Sequence, residues 1–222
     1  ACLMGNVESL YELKDHAHYA IASPNSTPGD GYPYDKILPD LAKMGMYDLT
    51  HAANQFVTTY ATDGSIWNDF ASSAVYDLSR MQDFAHSFNQ MLEEEESIER
   101  LNALDRTKMQ LYETYWPNDT EYPDHPLYDI GLLIDSIAPA KTAAALHGEL
   151  RKLIVQYAHL DYLSVSYDGN QMLLPYDASR VCGLTVYIPP TLPYKESSYR
   201  EYNATLSWTQ DSGLLRSARY NP

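Results

Sequence analysis

The feature that most narrows the fold is an alternation of two periodicities along the chain. In "VESLYELKDHAHYAIAS", Val7, Leu10, Tyr11 and Leu13 recur at helical spacing with Glu8, Glu12, Lys14 and Asp15 outside them, and a continuous apolar run follows. The spacing predicts a helix over 6–17, capped by Asn6, with Glu8 in the first turn where the helix dipole favours an acid. Residues 18–23 then read as a short buried strand. The pattern repeats: a helix over 34–44 disturbed by Pro39, a helix over 49–61, and a strand passing into a helix over 72–81. Largely helical sequence runs over 82–113, with the acidic stretch 93–96 as a solvated face. A long amphipathic helix is expected over 139–158, carrying Leu146, Leu150, Leu153, Ile154 and Tyr157. Strands are expected over 163–167 and 183–190, and a closing helix over 199–208. Strands interleaved with helices argue for an α/β sandwich.

Length and charge bound what such a sandwich can do. The chain has 222 residues, 45% of them apolar, which suits one large domain or a domain with an extension. No apolar run approaches the ~18 residues of a membrane span. Thirty acidic against 15 basic residues give a formal charge of −15. Nucleic acid, which needs a basic face, is therefore excluded as the expected partner, whereas a cationic ligand would be drawn in. The two cysteines, Cys2 and Cys182, do not make a disulfide framework. Cys182, in "RVCGLTVYIPP", reads as a small buried thiol.

Cys2 stands in a different context. A thiol is a nucleophile only as thiolate, and a helix N-terminus favours that form. Cys2 lies just ahead of the predicted helix, and Gly5 would let a substrate backbone approach closely. The segment "PNSTPGDGYPY" (24–34) must be a loop, because its prolines and glycines exclude regular structure. Taken together, "ACLMGNVESLYEL" followed after a strand by "ASPNSTPGDGYPY" resembles the clostripain family of cysteine peptidases. The resemblance is close over residues 1 to about 43 and general thereafter. It implies a caspase-like α/β/α sandwich with a central, mostly parallel sheet, incomplete without an N-terminal fragment. It implies a cysteine endopeptidase cleaving after Arg or Lys through a Cys-His dyad, with Cys2 as the nucleophile. Asp30 matches the aspartate at the base of the family's specificity pocket, and Thr27 would line the same pocket. A carboxylate there pairs with guanidinium or ammonium. Read without the motif, Asp30 is a turn residue beside Gly31.

The base is not found among the seven histidines His16, His18, His51, His86, His125, His147 and His159, which read as structural or surface residues. The resemblance places it in a His-Gly segment ahead of the cysteine. The partner expected from this is the N-terminal fragment of the same precursor, separated by proteolytic processing, with this chain as the larger C-terminal piece. The resemblance also implies a bacterial, secreted, periplasmic or cell-surface setting. The acidic loop with Asp119, Glu121 and Asp124 could bind calcium, but a solvated loop is the plainer reading, and no cofactor is expected. An added helical region within 82–160 is expected, without a firm boundary. A catalytically inactive homologue that binds or scaffolds is the competing reading.

Overall fold

The computed structural model describes residues 2–28, 30–44, 49–62, 71–112, 127–160, 162–167, 170–175, 179–189 and 197–220. In chain order the elements are α1 (Val7–Leu13), β1 (Tyr19–Ala22), α2 (Tyr34–Met44), α3 (Leu49–Thr62), β2 (Ser72–Asp77), α4 (Met81–Met91) and α5 (Glu95–Asn102). They are followed by β3 (Leu127–Asp129), α6 (Ile130–Ile137), α7 (Ala140–Leu153), β4 (Ile154–His159), β5 (Tyr162–Tyr167), β6 (Asn170–Pro175), β7 (Thr185–Tyr187), α8 (Ser197–Thr205) and α9 (Ser207–Asp211).

The central unit is a sheet in the order β1-β2-β4, with Ala22 opposite Ala74 and Ser72 opposite His159. Its middle strand, β2, is buried from Ser72 to Tyr76, as a strand covered on both faces must be. One face meets the main core, which gathers Ala74 and Tyr76 with residues of α1, α4, α6 and α7. The other meets a smaller core built on Phe56, Val57 and Tyr60 of α3, with Ala71 and Ala158. Helices thus lie on both faces of this small sheet, in a mixed helix–strand structure of several small sheets. The described ladders are antiparallel, in β1-β2, β2-β4, β3-β7 and β5-β6. The parallel relation expected of the central sheet is found among the described residues at one bridge, Asn6 to Thr185.

Most predicted elements form. The helix expected over 139–158 is shorter: α7 ends at Leu153, and Ile154 and Tyr157 belong to strand β4. Ala143, Leu146, Leu150 and Leu153 do form the buried face, so helical spacing holds up to that point. Beyond it, the β-branched pair Ile154-Val155 suits a pleated surface, and β2 supplies the hydrogen-bonding partner that a strand needs. The strand–helix unit β3–α6 was not anticipated. There the Asp129 side chain caps α6 by accepting the Leu132 N–H at 3.0 Å.

The C-terminal segment closes the main core. Trp208 stacks on Phe84 at 5.7 Å and meets Tyr11 of α1 edge-on at 5.8 Å. Truncating so large a buried ring to alanine costs about 3–5 kcal/mol. The Tyr11 hydroxyl donates to Asp211 at 2.7 Å, so α1 is tied to the end of the chain by packing and by a polar contact. Arg219, buried and without a carboxylate in contact among the described residues, donates to the carbonyls of Leu101, Asn102, Leu104 and Pro189. That leaves α1, and the segment ahead of it, on a fixed base.

Candidate active site

The site is built on three neighbouring stretches: 2–6, 23–32 and 182–187. Cys2 is exposed in a turn. Leu3 after it takes a left-handed conformation, φ 57°, unusual for a residue with a branched side chain and costing on the order of 1 kcal/mol or more. Neighbouring groups hold it there. The Leu3 N–H donates to the Asn25 carbonyl at 3.2 Å, and the Leu3 carbonyl accepts from Asn6 Nδ2 at 2.6 Å. Asn6 also caps α1, its Oδ1 accepting the Ser9 N–H at 2.7 Å. One asparagine thus fixes both the helix start and the turn that carries the thiol. The helix begins at Val7, so three residues and the cap separate Cys2 from it. Cys2 thus lies just ahead of the helix start, where the sequence places it.

Gly5 has a different task from the one expected. It is buried, not open to a substrate. Its N–H donates to the Ser23 carbonyl at 2.9 Å on one side, and its carbonyl accepts the Thr185 N–H at 3.0 Å on the other. A Cβ there would stand 2.7 Å from Pro24 N and 2.6 Å from the Tyr76 hydroxyl. Glycine lets the nucleophile's segment lie against the start of the 24–34 loop.

That loop turns sharply at its "PGDG" corner. The Gly31 N–H donates to the Pro28 carbonyl at 2.9 Å, with Gly31 at φ 71°. Asp30 is exposed on this turn, and Thr27 is half-buried. The enclosed setting expected for Asp30 is not found among the described residues, because no described residue roofs the turn. What the structure supplies instead is bracing. The Tyr60 hydroxyl donates to the Gly31 carbonyl at 2.6 Å, while Tyr32 stacks on Phe56 at 4.1 Å and meets Ser73 Oγ at 2.9 Å. Burial pushes the Tyr32 phenol up to about 12, and the charge of nearby Cys2 adds to that shift. Cys2 and the Asp30 loop therefore share one neighbourhood. Sequence reasoning missed Tyr32 and Tyr60; the abundance of tyrosine was the only available signal.

A polar layer lies beneath. Ser23 Oγ donates to the Asn25 carbonyl at 2.8 Å, and the Asn25 side chain also meets Ser72 of β2. On the far side, Asp129 accepts from Tyr112 at 2.9 Å and from the Cys182 N–H at 2.8 Å. The Tyr76 hydroxyl donates to the Gly183 carbonyl at 2.6 Å, and Gly183 stands at φ 84°. Burial raises the Asp129 carboxyl, and burial beside Asp129 pushes the Cys182 thiol well up.

The histidines are distributed elsewhere. His147 contacts Asp135 at 2.7 Å, His86 contacts Gln90 at 3.0 Å, His159 packs on Tyr157, and His16 and His18 are exposed. His125, and the acidic loop with Asp119, Glu121 and Asp124, lie outside the described residues. Among the described residues, no group of three or more His, Cys, Asp or Glu side chains is placed to hold a metal, and no helix is long and apolar enough to cross a membrane.

Comparison with known proteins gives this arrangement a context. No curated protein matches the chain. Several solved structures match along almost all of it. An inactive zymogen protease from Parabacteroides distasonis superposes with a TM-score of 0.80 at 23% identity, over 96% of this chain and 56% of its own. A cysteine protease of B. fragilis gives 0.76 at 21%, over 100% and 87%. A clostripain from Bacteroides thetaiotaomicron, in complex with the peptide inhibitor BTN-VLTK-AOMK, gives 0.72 at 20%, over 95% and 83%. This chain thus spans little more than half the length of the zymogen, and it shares the caspase-like fold of these proteases. Residues 1–214 match the sequence profile of the clostripain family, and the chain belongs to that family of cysteine proteases.

Proposed function

We propose that this chain carries the nucleophile and the specificity loop of a cysteine endopeptidase that cleaves after Arg or Lys. The observation that carries the reading is the juxtaposition of an exposed Cys2, on a turn anchored at both flanks, with the braced "PGDG" loop. Cys2 as thiolate attacks the scissile carbonyl, forming a thioester and expelling the amine; water then hydrolyses the thioester. The Leu3 and Gly5 amides already donate to Asn25 and Ser23, and the role of oxyanion donor falls to the nucleophile's own N–H, next to the attacking sulfur. The general base is a histidine on the N-terminal fragment of the same precursor, which takes the thiol proton and returns it to the leaving amine. The placement of His86 and His147 in other contacts supports that assignment.

Asp30 recognises the basic side chain, as the acidic surface of the protein favours the approach of cations. The peptide inhibitor on the B. thetaiotaomicron clostripain, whose peptide portion is VLTK, supports a basic residue at that position. The test is a set of fluorogenic peptides varied at the residue before the scissile bond, run on the mature protein and on Asp30→Asn. Arg and Lys peptides should be cut and Leu or Ala peptides spared. Because Asp30 is exposed in this chain, its pairing with a bound cation is worth about 1 kcal/mol, and the variant should lose roughly five-fold in kcat/KM on basic peptides. An unchanged Arg-to-Leu ratio would assign Asp30 to the turn alone.

A further inference from the structure

On the flank of the nucleophile's segment opposite the Asp30 loop lies a groove of about 530 Å³. The hydrogen bonds fix this placement: Gly5 faces Ser23, which leads to the Asp30 loop, on one side and Thr185, which leads into β7, on the other. Leu3 and Met4 form one end of the groove, Glu8 and Leu13 its α1 wall, and Leu206 part of its α8 side. Within this largely apolar surface Glu8 is 6% exposed. Its Oε1 accepts the Tyr187 N–H at 2.9 Å, but its buried Oε2 has no hydrogen-bond partner among the described residues. A buried carboxylate oxygen left unmatched is costly, and a charge in such a place wants a counter-charge.

We propose that this groove is a second cation subsite, taking the Lys or Arg side chain of a bound peptide, with its aliphatic stem on Leu3, Leu13 and Leu206 and its charged head on Glu8. The inference rests on the endopeptidase reading and extends it. Among the described residues, the groove is lined by no Lys, Arg or His. Glu12 does not compete for it as an open acid, because its carboxylate accepts from the Ser207 N–H at 2.7 Å. A Lys or Arg side chain matches both features of the site, since its stem packs on apolar surface while its head meets an acid.

Burial raises the Glu8 carboxyl to about 7, so binding of a cation is linked to proton release near neutrality. The other titratable groups facing it are Glu12 on its own helix, Tyr187 and Tyr220 from the C-terminal side, and Tyr202 on α8. None of these is a cation.

The experiment uses agmatine, whose guanidinium and amine mimic a basic side chain, titrated calorimetrically into the mature protein bearing Asp30→Asn. Binding should persist in that background, strengthen roughly 30-fold from pH 5.5 to pH 8, and be lost on adding Glu8→Gln, which preserves the Oε1 acceptor for Tyr187. Agmatine affinity equal in the Glu8→Gln and Glu8 proteins would overturn the subsite. So would a groove already covered by another part of the mature protein, seen as a destabilised Glu8→Gln with no agmatine binding in either form. Failure of the endopeptidase reading would show separately, as absent turnover in the protein with native Asp30.

Discussion

Replacing Gly5 by alanine should damage the site by displacement, with no chemical group removed. The added Cβ would lie 2.7 Å from Pro24 N and 2.9 Å from Pro24 Cα, where ordinary contact begins near 3.4 Å. The Tyr76 hydroxyl, 2.6 Å away, is held in its bond to the Gly183 carbonyl. The obstructing atoms are thus backbone and an anchored side chain, so the nucleophile's segment must retreat by about 0.7 Å. Overpacking of this kind costs about 1–3 kcal/mol. In a chain of this length that lowers Tm by about 2–10 °C. The retreat also stretches the Gly5–Ser23 and Leu3–Asn25 hydrogen bonds, which set Cys2 against the Asp30 loop. As misplacement by ~1 Å costs on the order of 100-fold in rate, kcat/KM on a basic peptide should fall ten-fold or more. The assay pairs thermal unfolding with steady-state kinetics. Gly148→Ala is the control: it lies inside α7 with only Arg151 Nη2 near, at 3.9 Å, and should stabilise by about 0.5–1 kcal/mol. Native Tm and native kinetics in Gly5→Ala would refute the close-packing account of this glycine.

The remaining expectations concern other links. Iodoacetamide should alkylate exposed Cys2 well before Cys182, whose thiol burial pushes up, and mass-mapped labelling of Cys182 first would reverse the assignment. Arg219→Ala should destabilise by about 2–4 kcal/mol in urea unfolding, because four carbonyls lose a charged donor; a shift within 0.5 kcal/mol, roughly the spread of neutral surface changes, would dismiss that anchor. The Glu8 carboxyl rises from 4.5 to about 7 on burial, so the folded state holds its proton longer than the unfolded one. Stability should therefore fall as pH rises from about 4.5 through 7, by about 3 kcal/mol from this group, and the Glu8→Gln protein should show a flatter profile of Tm against pH.

What could be read from the sequence divides along physical lines. The helix at Val7, its Asn6 cap and the strand at Tyr19–Ala22 were legible because capping and periodicity are local properties. The end of α7 was not, because Ile154 and Tyr157 continue the helical spacing and only the pairing with β2 makes them strand. The site was legible as a motif but not as an environment. "PGDG" announces a turn, yet the residues that brace it, Tyr32, Tyr60, Phe56 and Ser73, come from separate elements and show no pattern along the chain. Asp129 was likewise silent, since its three acceptor contacts reach Tyr112, Leu132 and Cys182.

The opening motif itself can now be argued residue by residue. Leu3 supplies the left-handed turn that leaves Cys2 exposed, and its strain is held by two hydrogen bonds of its own backbone. Gly5 is small because Pro24 and Tyr76 leave no room. Asn6 must be an amide, since one side chain has to donate to Leu3 and accept from Ser9 at once. An aspartate there could still cap α1 but could not donate to Leu3, so it would keep the helix and loosen the turn. Serine would be too short to reach both. Only at Glu8 does local structure fail to account for the residue. Helix dipole and the Tyr187 N–H use one carboxylate oxygen, and a glutamine would serve that bond as well. The second oxygen, buried in an apolar groove beside the nucleophile's segment, has no partner among the described residues, and a cationic ligand is the simplest partner that would make an ionisable acid worth its burial.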